Sequence, residues 1–168
     1  MSTHRLPLEE ARGHWALAEV LRRVGDLAGA DREIQATLGM VVPLERPGAL
    51  GTLAMLRLAQ GRPAGALAAA EEAVAAYTAM GGCGMFRGAF VRLARAEALH
   101  ATGAIDAARA AIADARARLC ALADKIPDLE YRASFLERVP ENVRTFALAR
   151  AWLGEAAAGT GTPDVPVA

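Results

Sequence analysis

The sequence QGRPAGA at residues 60–66 decides the fold, because two other stretches of the chain can be laid upon it. These are VGDLAGA at residues 24–30 and TGAIDAA at residues 102–108, and all three carry a glycine followed five residues later by an alanine. The glycines are 36 and 42 residues apart, and each lies between two helical patterns. A period of this length is typical of stacked helical hairpins, so the sequence predicts an all-α array that acts by binding.

The composition agrees with a helical protein of one domain. Alanine occupies 41 of the 168 positions, and it forms helices at low entropic cost and lets them approach closely. The formal net charge is zero, with 19 basic and 19 acidic residues. A neutral chain has no strong field for a nucleic acid or an anionic membrane, so neither is predicted as a partner. Because no signal peptide and no long apolar run is present, we expect a cytoplasmic protein.

Helical periodicity, interrupted by glycine and proline, divides the chain into eight predicted helices. Six of them form three hairpins, at about residues 8–41, 47–80 and 86–126, and a closing pair of helices follows at residues 128–153. These elements make a single domain over residues 1–154. The remaining residues, 155–168, are small and contain glycine and proline, so we expect a disordered tail.

The sixth predicted helix has the most regular apolar pattern of the chain. Its apolar residues recur at alternating spacings of three and four: Ile105, Ala108, Ile112, Ala115, Leu119, Leu122 and Ile126. The pattern fits a coiled coil with a second copy, although roughly three heptads is short for one. Packing inside a helical array explains the stripe better, and self-association is the alternative.

The glycine and alanine units resemble tetratricopeptide repeats, in which two antiparallel helices form each unit. In that family a glycine lies in the turn and small residues lie where the helices cross. The turn glycines of this chain are Gly25, Gly61 and Gly103, and the small crossing residues are Ala18, Ala54, Ala96, Ala30, Ala66 and Ala108. A larger side chain at a crossing overpacks the contact at a cost of about 1–3 kcal/mol. The chain departs from the family in its longer period and in Arg57, where an aromatic residue or leucine is usual.

A second resemblance concerns residues 134–145, SFLERVPENVRT. This stretch is similar to the closing part of repeat arrays in large bacterial serine/threonine kinases and ATPase-type transcriptional regulators. The resemblance implies that the last two helices cap the array by covering the apolar face of the third hairpin. It also implies a role in bacterial signalling or regulation. The kinase and nucleotide-binding motifs of those proteins do not occur in this sequence.

No arrangement of residues in the sequence indicates catalysis, a cofactor or a metal ion. His4, His14 and His100 lie at no metal-ligand spacing from one another or from a cysteine. The sequence GGCG at residues 81–84 follows a helix instead of a strand, and it lacks the lysine of a phosphate-binding loop. We therefore predict a protein that is not an enzyme and that holds no cofactor and no metal.

The tetratricopeptide resemblance implies a binding surface, because in that family the first helix of each hairpin lines a concave groove. The positions that the family exposes there are, in this chain, Arg12, Trp15, Glu19, Arg22, Arg23, Met55, Leu58, Phe90, Leu93, Glu97 and His100. An aromatic residue beside arginines, followed by methionine, leucine and phenylalanine, suits an amphipathic peptide or helix with an acidic end. Alternatively, Trp15, Phe90 and Leu93 are core residues, and the sequence leaves both interpretations open.

The sequence thus predicts a non-catalytic protein–protein interaction module that binds a peptide or helix of another protein in this groove. The alternative is self-association into a homodimer, either through the stripe of the sixth helix or through an exposed end of the array. A small-molecule sensor is the third and least favoured function.

Overall fold

The computed structural model describes residues 7–40, 43–82 and 88–154, and these ranges contain eight α-helices and no strand. The predicted all-α class is confirmed for these residues. The helices are α1 (Pro7–Val24), α2 (Leu27–Gly39), α3 (Arg46–Ala59), α4 (Pro63–Ala79), α5 (Gly88–Ala101), α6 (Ile105–Ala123), α7 (Leu129–Glu137) and α8 (Pro140–Leu153). The predicted tail at residues 155–168, His4 and the second half of the GGCG sequence lie outside the described residues.

Two helix ends differ from the sequence prediction for local reasons. Helix α2 begins at Leu27, three residues before the start that the periodicity predicts at about Ala30, because the Oδ1 atom of Asp26 accepts a hydrogen bond from the backbone N–H of Gly29 at 2.8 Å. This contact satisfies one of the N–H groups that a helix start leaves without a partner. Helix α6 ends at Ala123 and does not reach Ile126, where the following proline disfavours helical geometry.

The three turn glycines have backbone angles that other residues adopt at a cost. Their φ angles are +88° at Gly25, +67° at Gly61 and +82° at Gly103. A side chain in this left-handed region crowds the backbone, whereas glycine enters it freely. The glycines therefore allow α1 to turn into α2, α3 into α4, and α5 into α6.

Each of these helix pairs packs as a hairpin, and each hairpin also contacts the next one along the chain. Helix α2 packs against α3, and α4 packs against α5; α3 also contacts both α1 and α5. Helix α8 packs against α5 and α6, with α7 beside it. The alanines at the predicted crossing positions have no exposed surface: Ala18, Ala30, Ala54, Ala66, Ala96 and Ala108.

The apolar stripe of α6 is used mainly inside the chain. Ala108, Ile112, Ala115 and Leu119 are buried, and Ile112 packs in a cluster with residues of α5 and α8. Exposed apolar surface remains only toward the two ends of the stripe among its described members, as at Leu122. The middle of the stripe therefore offers no surface to a second copy.

An ion pair accounts for the arginine that departs from the tetratricopeptide pattern. The guanidinium of Arg57 in α3 donates to both carboxylate oxygens of Asp31 in α2, at 2.5 and 3.1 Å. Gln60 donates to the same carboxylate at 3.4 Å and accepts from Arg57 at 2.6 Å. Arg57 thus joins the first hairpin to the second through polar contacts.

No helix in the described part of the chain is long and apolar enough to cross a membrane.

Candidate partner-binding face

The structure brings the three helices that carry the predicted binding residues into contact, since α3 packs against both α1 and α5. The indole N–H of Trp15 in α1 donates to the hydroxyl of Thr52 in α3 at 2.9 Å. On the other side of α3, Phe90 of α5 packs so closely that a Cβ atom on Gly51 would lie 2.8 Å from its ring. The absence of a side chain at this glycine lets α3 and α5 approach each other.

Helix α8 extends this surface beyond α5. The rings of His100 and Trp152 are stacked, with centroids 4.4 Å apart and an interplanar angle of 8°. Glu97 accepts two hydrogen bonds from the guanidinium of Arg144, at 3.0 and 3.3 Å. We call the predicted binding residues, together with Arg144 and Trp152, the first-helix face.

The apolar part of the first-helix face is smaller than the sequence predicted. Phe90 and Leu93 are buried, so for these two residues the structure selects the core interpretation that the sequence left open. Trp15 is half-buried and packs against the core of the first hairpin. Met55 and Leu58 are half-buried beside the alanine cluster that joins α3, α4 and α5. A partner can therefore touch edges of Trp15, Met55 and Leu58, but not Phe90 or Leu93.

Three exposed arginines of the first-helix face form ion pairs with glutamates. The Nε atom of each arginine lies within 3.0 Å of a carboxylate oxygen. The pairs are Arg12 with Glu45 at 2.8 Å, Arg23 with Glu19 at 2.9 Å, and Arg144 with Glu97 at 3.0 Å. Arg22 also contacts Glu19, at 2.8 Å.

In all three pairs the arginine is exposed and the glutamate is shielded. The exposed side-chain fractions of Arg12, Arg23 and Arg144 are 47%, 66% and 56%, and their glutamates expose 12%, 19% and 13%. The two charges of a pair cancel in the sum over the chain, but they do not lie at the same depth. The first-helix face therefore presents guanidinium groups to a partner although the chain has no net charge.

The pKa shifts on the face keep these groups ionised near neutral pH. Burial disfavours the charged form of Glu19, but hydrogen bonds and charges from Arg22 and Arg23 outweigh it, so the pKa of Glu19 lies below its usual value. The hydrogen bond and charge of Glu45 raise the pKa of Arg12. Glu97 raises the pKa of Arg144 in the same way.

We expect the shifted carboxyl groups to make the protein less stable in acid. The pKa of Asp31 is lowered, first by its hydrogen bond from Arg57, against an opposing effect of burial, and that of Glu19 is lowered too. A carboxyl with a lowered folded pKa stabilises the fold above its unfolded pKa, near 4, and this contribution is lost as pH falls through the folded pKa. Melting temperatures of Glu19→Gln and Asp31→Asn, measured against pH, should therefore fall less steeply below about pH 4 than that of the wild type. Curves parallel to the wild type would contradict this assignment.

Sequence reasoning missed four residues that belong to this surface or hold its side chains: Glu45, Thr52, Arg144 and Trp152. Glu45 pairs across 33 residues and Arg144 across 47, and no helical periodicity connects positions so far apart. Thr52 lies three residues before Met55, the first predicted position of α3, and its contact with Trp15 depends on the angle between two helices. The similarity of residues 134–145 to a capping segment was the one sequence signal near Arg144.

The described residues contain no group of three or more histidine, cysteine, aspartate or glutamate side chains that could hold a metal ion. In comparisons with family models, curated proteins and solved structures, no family, relative or structural neighbour matches the chain.

Proposed function

We propose that the chain is a non-catalytic protein-interaction module that binds an acidic, amphipathic segment of another protein on its first-helix face. In this proposal the three hairpins form a tetratricopeptide-like array, closed by α7 and α8. The observation that carries it is the outward orientation of Arg12, Arg23 and Arg144 over shielded glutamates. Such an orientation adds a cationic surface to a neutral chain, and an acidic partner complements it.

The arginines retain hydrogen-bonding capacity for a partner. A guanidinium has five N–H donors, and Arg12 donates to Glu45 and Glu9 while Arg23 donates to Glu19. A carboxylate of the partner can therefore bind without breaking the existing pair. Arg12 and Arg23 are 11 residues apart on α1, which corresponds to roughly 16 Å along one side of the helix. The partner that fits best is a helix of about three turns with acidic residues near both ends.

The resemblance of the closing stretch to bacterial regulators supports the biological role that we propose. Residues 134–145, which are similar to the ends of repeat arrays in bacterial regulators, form the end of α7 and the start of α8. Helix α8 supplies Arg144 to the first-helix face, so the closing pair contributes to binding as well as to capping. This supports a role in bacterial signalling or regulation.

A displayed random-peptide library, panned against the purified protein, tests the proposed partner chemistry. We expect the enriched peptides to be acidic and amphipathic. One of them, synthesised with a fluorescent label, should bind the triple variant Arg12→Gln, Arg23→Gln, Arg144→Gln about tenfold more weakly, since three exposed pairs at roughly 0.5 kcal/mol each amount to that change. Added salt should weaken wild-type binding as well, because these charges are exposed.

A matched variant removes three exposed arginines that do not belong to the first-helix face: Arg32→Gln, Arg62→Gln, Arg150→Gln. It carries the same change in net charge, and we expect it to bind the labelled peptide as the wild type does. Equal losses in both triple variants, or enriched peptides without an acidic bias, would overturn the proposal.

Self-association remains a second candidate because α1 has an exposed apolar side. Leu17, Val20 and Val24 of α1 are exposed and lie on one side of the helix. The positions that correspond to Val20 in the next two hairpins are Leu56 and Ala98, and both are fully buried. Each lies two residues after the small crossing residue of its helix. A second copy that covers α1 would bury Val20 as the first hairpin buries Leu56.

A further inference from the structure

A cleft opens on the other side of α5, where neither the sequence nor the first-helix face places a function. It lies between α4 and α6, has α5 at its base, and has a volume of about 400 Å³. Arg92 and Arg95, its polar residues on α5, point away from Glu97 because positions two and five residues apart lie on opposite sides of a helix. Small-molecule sites in proteins have volumes of roughly 300–1,000 Å³, so the cleft is of that class.

The base and one wall of the cleft are apolar. Val74 of α4 and Val91 of α5 meet there with alanines 107, 110 and 111 of α6. These alanines leave the space open, since a larger residue at any of them would project toward α4. An apolar ligand body resting on this surface would be removed from water, which is the general source of affinity in such sites.

The rim of the cleft is cationic. It carries three arginines, Arg92, Arg95 and Arg118, and one carboxylate, Asp114. Arg118 donates to both oxygens of Asp114, at 2.9 and 3.1 Å, and Arg95 donates to Glu71 outside the cleft at 2.9 Å. The Nε atom of Arg92 is 4.0 Å from Asp114, which is too long for a hydrogen bond. Of the three rim arginines, Arg92 is thus the one whose guanidinium forms no hydrogen bond with a carboxylate of the described residues.

Arg92 is held in place although its ion pair is long. Its guanidinium carbon lies 5.2 Å from the centre of the Tyr77 ring, in the range of cation–π attraction. A Cβ atom at Gly88 would lie 2.8 Å from Nη1 of Arg92 and 2.5 Å from the hydroxyl of Tyr77, so the glycine makes room for both groups. A guanidinium fixed before binding loses less entropy when a ligand arrives.

We propose that this cleft binds a small organic anion, with its carboxylate on Arg92 and its apolar body on the valines and alanines. Arg95 and Arg118 add positive charge on either side of that carboxylate. A helix of three turns, roughly 10 Å across and 16 Å long, is larger than the cleft, so a small molecule fits where a helix does not. This site is separate from the proposed partner-binding face and does not depend on it.

The probe is 2-naphthoate, which has one carboxylate and a flat apolar body, and isothermal titration calorimetry measures its binding. We expect saturable one-to-one binding to the wild type. Arg92→Gln should weaken it by about tenfold or more, the usual effect of losing a charge-assisted hydrogen bond. Ala110→Phe should abolish it by filling the cleft, whereas Ala113→Phe, an exposed position of α6 outside the cleft, should leave it unchanged.

The neutral analogue 2-naphthamide separates charge recognition from apolar contact, and it should bind at least about tenfold more weakly than the carboxylate. The proposal is wrong if naphthoate fails to saturate in the millimolar range, if Ala110→Phe binds it as the wild type does, or if the amide binds equally well. The triple variant of the first-helix face should keep full affinity for naphthoate. Failure of one site is therefore distinguishable from failure of the other.

Discussion

Replacing Leu56 by alanine is expected to lower the free energy of unfolding by about 3 kcal/mol, within the range of roughly 2–5 kcal/mol for buried leucines. Leu56 is fully buried in the cluster that joins the first two hairpins, where it packs with Ala18, Ala30 and Ile34. The cavity left by its side chain lies between rigid helices that cannot collapse fully. Thermal unfolding followed by circular dichroism should show a melting temperature lower by roughly 6–12 °C, at about 2–4 °C per kcal/mol for a chain of this length.

Val20→Ala is the matched control, because Val20 occupies the corresponding position of the first hairpin and is 55% exposed. We expect its stability to stay within about 0.5 kcal/mol of the wild type. A loss as large as that of Leu56→Ala would mean that something covers α1 in solution. If that loss grew with protein concentration, α1 would be covered by a second copy of the chain. Self-association would then replace the partner-binding proposal.

The all-α class and the positions of the helices could be predicted from the sequence because their determinants are local. A glycine with positive φ and an alanine five residues later recur three times, and both requirements act within one hairpin. The helices between them have strong periodicity and clear end signals in glycine and proline. The start of α2 was predicted too late because it depends on a single side-chain contact, the cap formed by Asp26.

The candidate site could be predicted only in part, because its character depends on contacts between distant residues. The sequence placed Arg12, Arg23 and Glu97 on one surface through the family resemblance. It did not distinguish Phe90, which packs over Gly51, from Trp15, which keeps an exposed edge. A formal net charge of zero also does not show that the guanidinium groups are exposed while their paired carboxylates are shielded, since tertiary packing sets the depth of each charge.

The cleft beside α5 was missed for the same reason. Arg92, Tyr77 and Asp114 belong to three different helices, and each has an ordinary neighbourhood in the sequence. Their convergence depends on how α4 and α6 are spaced over α5. The small alanine side chains of α6 leave the space of this cleft. In the sequence, a high alanine content is explained equally well by close helix packing. The same small residues thus permit contact on one side of α6 and open space on another.

Asn142→Asp is expected to destabilise the protein by about 3 kcal/mol or more at pH 7, the usual effect of a buried charge without a partner. Asn142 is buried at the start of α8, and its Nδ2 atom donates to the carbonyl of Phe135 in α7 at 2.8 Å. Its Oδ1 atom is buried and has no hydrogen-bond partner among the described residues. The substitution replaces the donor by a second acceptor, so a carboxylate would face a carbonyl oxygen away from water.

The pH dependence of this variant identifies the cause of the loss. Burial raises the folded pKa of the introduced carboxyl above its unfolded value of about 3.9, so the folded state binds the proton more tightly. The destabilisation is therefore smallest below about pH 4 and grows as pH rises toward the folded pKa. Asn142→Leu, which also removes the hydrogen bond to Phe135 but adds no charge, should show a difference from the wild type that does not vary with pH. If the aspartate variant melts like the wild type at pH 7, water reaches this position, and α7 and α8 do not pack against each other as described.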